Sequence, residues 1–300
     1  NNILLAVSAF VVFVGTMWPL VAELLFDRKL SVGPPFFNMA FTPFMILLGV
    51  LLPLGAMLAW KRGRLGGNMR ILWGVAALAV ASGLLLWAVQ TGRSAFGPVG
   101  LALSVWLVVG SAADLAARTG RGPVLQRLGR LTRLPRADWG KAVSHAGLGF
   151  TMFGISMLMA YQYEEIRVAQ VGETFPVGAY EITLADVQEV QGPNYLSTMA
   201  WMQVKKDGRE IAVLTPEKRV YPVAGMPTTE AAIDNGVTRD VYVVIGDPQA
   251  AGGYAVRIYI KPFANWIWLG AIVMALGGAL SLSDRRFRVA AGAARRTPAD

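Results

Sequence analysis

Six windows of about twenty residues limit this fold before anything else does. They are 3–26, 37–60, 71–90, 98–117, 142–162 and 263–283, and each is apolar and nearly free of charge. A helix needs about 20 mainly apolar residues to cross the hydrocarbon core of a bilayer. Trp18, Trp60, Trp139, Trp266 and Trp268 lie near the window ends, where aromatic belts form. Only 16% of the residues are charged, against about 25% in soluble domains. The windows predict an α-helical integral membrane protein with about six transmembrane helices.

The basic residues predict its orientation. The 61–70 loop carries Lys61, Arg62, Arg64 and Arg70. The 118–141 loop carries Arg118, Arg121, Arg127, Arg130, Arg133, Arg136 and Lys141, and the tail carries Arg285, Arg286, Arg288, Arg295 and Arg296. The connections 27–36 and 91–97 hold only Arg28, Lys29 and Arg93. The positive-inside rule makes the first group cytoplasmic, with both ends of the chain on that side. The net charge of +9 is therefore a topology signal, with basic loops lying at anionic lipid headgroups, and it does not call for a nucleic-acid partner.

Residues 163–262 differ in kind. They hold 13 acidic and 9 basic residues, and alternation of apolar with polar residues dominates them. Tyr180-Glu181-Ile182-Thr183-Leu184 shows it, as do Tyr254, Val256, Ile258 and Ile260 set between Ala255, Arg257, Tyr259 and Lys261. Such alternation marks strands with one buried face. Lys206-Asp207-Gly208-Arg209 is a hairpin signal, because Asp-Gly suits the positive φ angles of a type I′ turn. Six or seven short strands are expected, in an extracytoplasmic β-rich domain of sandwich-like or barrel-like form. Thr228–Asn235 is expected to be a short helix capped by Thr228 or Thr229. The predicted organisation is 1–162 for five helices and their basic loops, 163–262 for the external domain, and 263–300 for the sixth helix and a basic tail. The opening residue is Asn1 and no basic leader precedes the first window, which predicts that the chain is part of a longer polypeptide.

Few residues are equipped for chemistry. There is no cysteine, hence no disulfide, thiolate site or cysteine nucleophile, and one histidine, hence no multi-histidine metal site within this chain. No phosphate-binding loop, Gly-x-Ser-x-Gly, paired-carboxylate motif or zinc spacing occurs. That histidine, His145, lies inside the fifth window, where ionisable groups are costly and usually face the bundle interior. Gly149 lies one turn away on the same face and leaves room there, which a flat macrocycle could use, and imidazole is a good ligand for haem iron. The competing reading is a histidine hydrogen-bonded to a neighbouring helix, with Gly147, Gly149 and Gly154 simply letting helices approach. Asp114 is expected to pair with Arg118 four residues on, and Glu23 to be solvated. Pro34 and Pro35 are expected to stiffen the outer connection Ser31–Asn38 against helix formation, either as a tight link between spans or as a docking surface.

Four stretches together add a resemblance. They are Ser31-Val32-Gly33-Pro34-Pro35-Phe36-Phe37-Asn38; the span around Ser144-His145-Ala146-Gly147; Leu214-Thr215-Pro216-Glu217-Lys218-Arg219-Val220-Tyr221-Pro222 followed by Thr229-Glu230-Ala231-Ala232-Ile233; and Lys261-Pro262-Phe263-Ala264-Asn265-Trp266-Ile267-Trp268-Leu269-Gly270, continuing through Gly277-Gly278 to Asp284-Arg285-Arg286. In this order and topology the chain resembles the C-terminal half of the CcmF-type cytochrome c haem lyases. The resemblance implies attachment of haem to apocytochrome c outside the cytoplasmic membrane, by thioether formation at the thiols of a Cys-x-x-Cys-His site. It implies a haem b in the membrane held by two histidines, with His145 as one axial ligand to its iron. The other histidine, like the family's tryptophan-rich haem-handling loop, belongs to an N-terminal half that is not in this sequence, so this chain alone is expected to be inactive. Implied partners are a haem chaperone, a thiol-handling lyase subunit and the apocytochrome. The localisation implied is the inner membrane.

Two other classes compete. One is a non-enzymatic membrane assembly factor whose outer domain docks partners. The other is a transporter, which would need polar groups along a midplane path; the windows offer His145 and a few hydroxyls.

Overall fold

The computed structural model describes residues 2–57, 69–223 and 225–284, apart from the side chain of Pro34. Trp60, Lys61, Arg62, Arg64 and the basic tail from Arg285 lie outside the described residues. The chain forms two compact units. The first contains the described residues of Asn1–Leu84, Val99–Met152 and Leu269–Asp300; the second contains Leu85–Pro98 and Phe153–Trp268.

Among the described residues, six long helices correspond to the six apolar windows: α1 (Asn2–Phe26), α2 (Pro34–Met57), α3 (Met69–Val89), α4 (Phe96–Arg118), α6 (Arg136–Tyr161) and α7 (Asn265–Leu282). All six are long and apolar enough to cross a membrane. The chain is a multi-pass membrane protein.

Helix ends follow capping rather than hydropathy. Helix α6 starts at Arg136, six residues before its apolar window, and its Ala137 amide donates to Asp284 Oδ2 at 3.0 Å. A carboxylate there satisfies a free N–H and meets the positive end of the helix dipole. Helix α2 starts at Pro34, so the stiff connection expected over Ser31–Asn38 is helical in its second half. Proline resists helix only in the interior; in the first turn it has no amide to waste and its φ is already helical. The rings of Phe36 and Phe37 then lie on α1, where a Cβ at Gly15 would sit 2.5 Å from Phe36 Cε1.

A short helix, α5 (Val124–Leu131), interrupts the basic 118–141 segment. On a 3.6-residue period its apolar residues at 124, 125, 128 and 131 share one arc, and its arginines at 127 and 130 share the arc beside it.

Among the described residues of the second unit, ten strands build two antiparallel sheets. One has the order β1 (Tyr163–Ala169), β10 (Tyr254–Pro262), β9 (Arg239–Pro248), β8 (Ala232–Asp234). The other has the order β2 (Thr174–Val177), β3 (Tyr180–Gln191), β4 (Leu196–Lys206), β6 (Glu217–Tyr221), β7 (Met226–Glu230), with β5 (Arg209–Leu214) also paired to β4. Their apolar faces share one core, with Val241, Val243, Ile245, Val256 and Ile258 from the first sheet and Phe175, Ile182, Leu184, Met202 and Val204 from the second. The architecture is a β-sandwich.

The alternation over 180–184 and 254–260 sends its apolar members inward. The Asp207-Gly208 turn joins β4 to β5 with φ of 50° and 74°, as a type I′ turn requires. Thr228–Asn235 is not a helix. It supplies β7 and β8, with Thr229 opposite Lys218 and Ala232 opposite Val243. Eight residues are too few to hold a helix in isolation, and β-branched Thr228, Thr229 and Ile233 gain ladder partners from exposed sheet edges. The count of ten exceeds the expected six or seven largely through such short edge strands.

Candidate functional site

Two faces of α6 set the surroundings of His145. The first carries Gly140, Ser144, Gly147 and Thr151, spaced 4, 3 and 4 residues apart. It lies against Gly270, Met274, Gly277 and Ser281 of α7, running antiparallel. A Cβ on Gly147 would stand 2.6 Å from Met274 N and 2.8 Å from Gly270 O, and one on Gly277 would stand 2.5 Å from Ser144 N. These are backbone-to-backbone approaches. Ser144 Oγ donates to Met274 O at 3.1 Å. In lipid, where water does not drive helices together, small residues that permit such contact hold a helix pair.

The second face meets α4. Asp114 is buried, and its Oδ2 lies 2.6 Å from Lys141 Nζ while its Oδ1 accepts from Arg118 Nε at 3.2 Å. Arg118 Nη1 also reaches Asp138 Oδ1 at 2.9 Å, and Lys141 Nζ donates to Ala56 O at 3.3 Å. The expected Asp114–Arg118 pair is thus the edge of a two-acid, two-base node that gathers α4 and α6. Sequence spacing could reveal only the partner on the same helix. Glu23 is exposed near the end of α1.

One turn of α6 separates Lys141 from His145, and one more brings Gly149. At Gly149 a Cβ would meet Val108 Cγ2 at 2.6 Å and Ser104 O at 3.1 Å. The room expected beside His145 at Gly149 is therefore filled by α4, because a residue without a side chain lets the neighbouring helix move in. Halfway between the Lys141–Asp114 and Gly149–Ser104 contacts, His145 lies level with Val109 of α4. That is about 6 Å along the helix from the ion-pair node, at 1.5 Å per residue. His145 is half-buried and, among the described residues, its imidazole makes no hydrogen bond. Among the described residues no three of the His, Asp and Glu side chains are gathered to hold a metal ion. What α6 offers is one imidazole with a free nitrogen, on a helix held on two faces. That donor suits one axial position of a haem iron, while the space at Gly149 is taken by α4.

The remaining polar chemistry lies on the sandwich. Arg219 Nε donates to Glu217 Oε2 at 2.9 Å and its guanidinium stacks over Tyr195 at 4.5 Å. The hydrogen bond from Arg219, joined by one from Ser197, holds the Glu217 carboxyl below the usual range. Glu164 is held low by Arg257 in the same way. Lys261 lies over the rings of Tyr242 and Tyr259, at 4.5 and 5.1 Å.

Residues 160–262 match the family model described as the CcmF C-terminal β-sandwich. The chain belongs to the CcmF family and matches its C-terminal half. It is 56% identical over 300 residues to the cytochrome c-type biogenesis protein ccl1 of Rhodobacter capsulatus, covering all of this chain and 45% of that protein. It is 39% identical over 290 residues to the cytochrome c-type biogenesis protein CcmF of Escherichia coli, covering 96% and 43%. A solved structure of cytochrome c heme lyase CcmF superposes with a TM-score of 0.69 over 94% of this chain and 44% of that one, at 23% identity, and so shares its fold. The chain spans less than half the length of the curated relatives it matches.

Proposed function

We propose that this chain works as the C-terminal half of a membrane haem lyase that joins haem to apocytochrome c outside the cytoplasmic membrane. One observation carries the reading: the match to cytochrome c-type biogenesis proteins runs the whole length of the chain, helices and sandwich alike. In this reading residues 1–162 and 263–300 are the membrane part with cytoplasmic basic loops, and 163–262 face outward. His145 provides one axial ligand to a membrane haem b, and the second histidine comes from the other half of the longer protein. When bound, the haem b supplies one-electron chemistry to the incoming haem iron. The residues of this chain position the ligand: the α7 seam fixes one face of α6, and the Asp114–Lys141 pair fixes another one turn away. The thiols belong to the Cys-x-x-Cys-His site of the apocytochrome, in keeping with a chain that has no cysteine. A haem chaperone and a thiol-handling subunit complete the assembly, and the chain by itself is inactive.

A second reading has an observation in its favour. Because α4 closes the space at Gly149, the spans in this reading serve as anchors only, with the sandwich docking partners in a non-enzymatic assembly factor. One experiment separates the two. In the full-length protein, His145→Ala should strip or loosen the membrane haem and lower cytochrome c maturation while the protein stays inserted, and added imidazole should partly restore the haem spectrum. An unchanged spectrum at full occupancy would make His145 a packing residue and favour the assembly factor.

A further inference from the structure

Helix α5 lies between the end of α4 and the start of α6, where two spans leave the hydrocarbon core. It is pinned there. Arg127 Nε donates to Thr119 Oγ1 at 3.1 Å and its Nη2 to Ala116 O at 2.9 Å; Arg130 Nη1 donates to Thr119 O at 3.0 Å and Arg121 O at 2.9 Å. These guanidinium groups satisfy the open carbonyls at the C-terminus of α4. At the other end of α5, Trp139 Nε1 donates to Leu131 O at 3.1 Å.

Held in this way, α5 leaves two things unmatched. Its apolar side is uncovered: Val124 is 72% exposed, Leu125 82% and Leu128 53%. Beside it opens an apolar groove of about 350 Å³, lined by Leu115, Val124, Leu128, Leu131 and Trp139 among others. The charge is unmatched as well. From Arg118 to Arg136 there are six arginines and no acid. Arg118 is neutralised by Asp114 and Asp138, and Arg127 and Arg130 are spent on backbone carbonyls. Arg121, Arg133 and Arg136 are exposed and, among the described residues, have no carboxylate partner.

An exposed apolar stripe flanked by free guanidinium groups at the rim of a membrane-spanning bundle fits one kind of molecule. We propose that α5 and its groove form a binding surface for anionic phospholipid, with acyl chain against Leu128, Leu131 and Trp139 and the phosphate met by Arg121, Arg133 and Arg136. Charge selects the class: a zwitterionic headgroup brings no net charge to the three free arginines, and a peripheral protein would need its own acidic and apolar surface at the same depth. A helix with an apolar face and a basic face lies in the headgroup boundary by this same balance. Each arginine near an anionic surface contributes roughly fivefold to such binding, from about 1 kcal/mol apiece.

The absence of cysteine makes the test clean. The whole chain carrying Leu125→Cys, labelled with an environment-sensitive fluorophore, is reconstituted in nanodiscs of phosphatidylcholine alone or with roughly one-third phosphatidylglycerol, an anionic content of the kind these forces act on. The expected result is blue-shifted emission, quenched by nitroxide on lipid chains, only when phosphatidylglycerol is present. Adding Arg121→Gln, Arg133→Gln and Arg136→Gln should lower the docked fraction more than tenfold at the same composition. Arg127 and Arg130 stay in place because they cap α4, and an unchanged melting temperature of the triple variant in detergent checks that the fold survives. Equal burial of the probe in both lipid compositions would reduce the surface to an apolar contact and overturn the proposal. A water-exposed probe in both would overturn it too.

Discussion

The helical unit and the sandwich both pair acids with bases, but they place the pairs differently. In the sandwich the pairs lie at the surface: Arg257 with Glu164, Arg239 with Asp234, Lys218 with Asp247. The core between the sheets is built from apolar side chains, and the carboxylate of Asp240, buried on β9, is met by the Gly236 amide and Asn265 Nδ2 and not by a base. In the helical unit Asp114 is buried, and its two bases approach it from different helices. The contrast follows from the solvent on the far side. A sandwich in water can exclude polar groups from its core and leave them hydrated. A bundle in lipid presents apolar side chains outward, as Leu24, Trp73 and Leu276 do here, so a charge drawn in between its helices, as Asp114 is, must find its partner inside. Ion pairs are then structural in one region and nearly idle in the other.

Asp114→Ala tests this most severely. It leaves Lys141 and Arg118 without their shared acid inside the helix ends. Breaking a buried pair costs about 3–5 kcal/mol, and the lower end applies because both bases keep some exposure. A large drop in melting temperature of the chain in detergent is expected. If the melt does not move, the node is ornamental and the contrast collapses.

The α6–α7 seam gives a smaller effect with an internal control. Gly147→Val drives two methyl groups into the backbone of α7, and overpacking of this kind typically costs about 1–3 kcal/mol. Gly278→Val, on a side of α7 with nothing within 4 Å, should leave the melt unchanged. Equal responses would show that the seam is looser than these distances state.

The surface pairs of the sandwich should give the least. Glu217 and Glu164 have carboxyls held low by Arg219 and Arg257, so their contribution is present above the ordinary carboxylate range and is lost as pH falls through their lowered native values. Protection factors of β4 and β6 amides in the intact protein, taken relative to intrinsic exchange at each pH, should fall modestly on acidification. Arg219→Ala should flatten that dependence, since it removes the leading cause of the Glu217 shift. A collapse of the whole sandwich on Arg219→Ala would place its pairs in the same class as Asp114.

These regions were also unequally legible in the sequence. Hydropathy located all six spans, because length and apolarity are properties of each segment alone. It missed where α6 begins, since that end is set by Asp284, 147 positions away from Ala137. Alternation locates the inner faces of β3 and β10, yet Thr228–Asn235 reads as a helix and forms strands, because its conformation is decided by β6 and β9 and not by its own propensity. At His145 the residue was legible and its surroundings were not. Gly149 reads equally well as a space or as a contact, and only the position of α4 decides between them. Helix α5 is open to sequence reasoning, with four apolar residues at helical spacing against two arginines, but the density of basic residues over 118–141 reads first as a topology signal and hides it.

The glycine seam has a consequence beyond adhesion. Turning α6 by one residue, about 100°, would bring Val143 or Leu148 into the backbone of α7 where there is no room for a Cβ. Helix α6 therefore has one allowed azimuth. Every side chain along it keeps a fixed bearing, His145 included, and whatever meets that imidazole must come to it from a single direction.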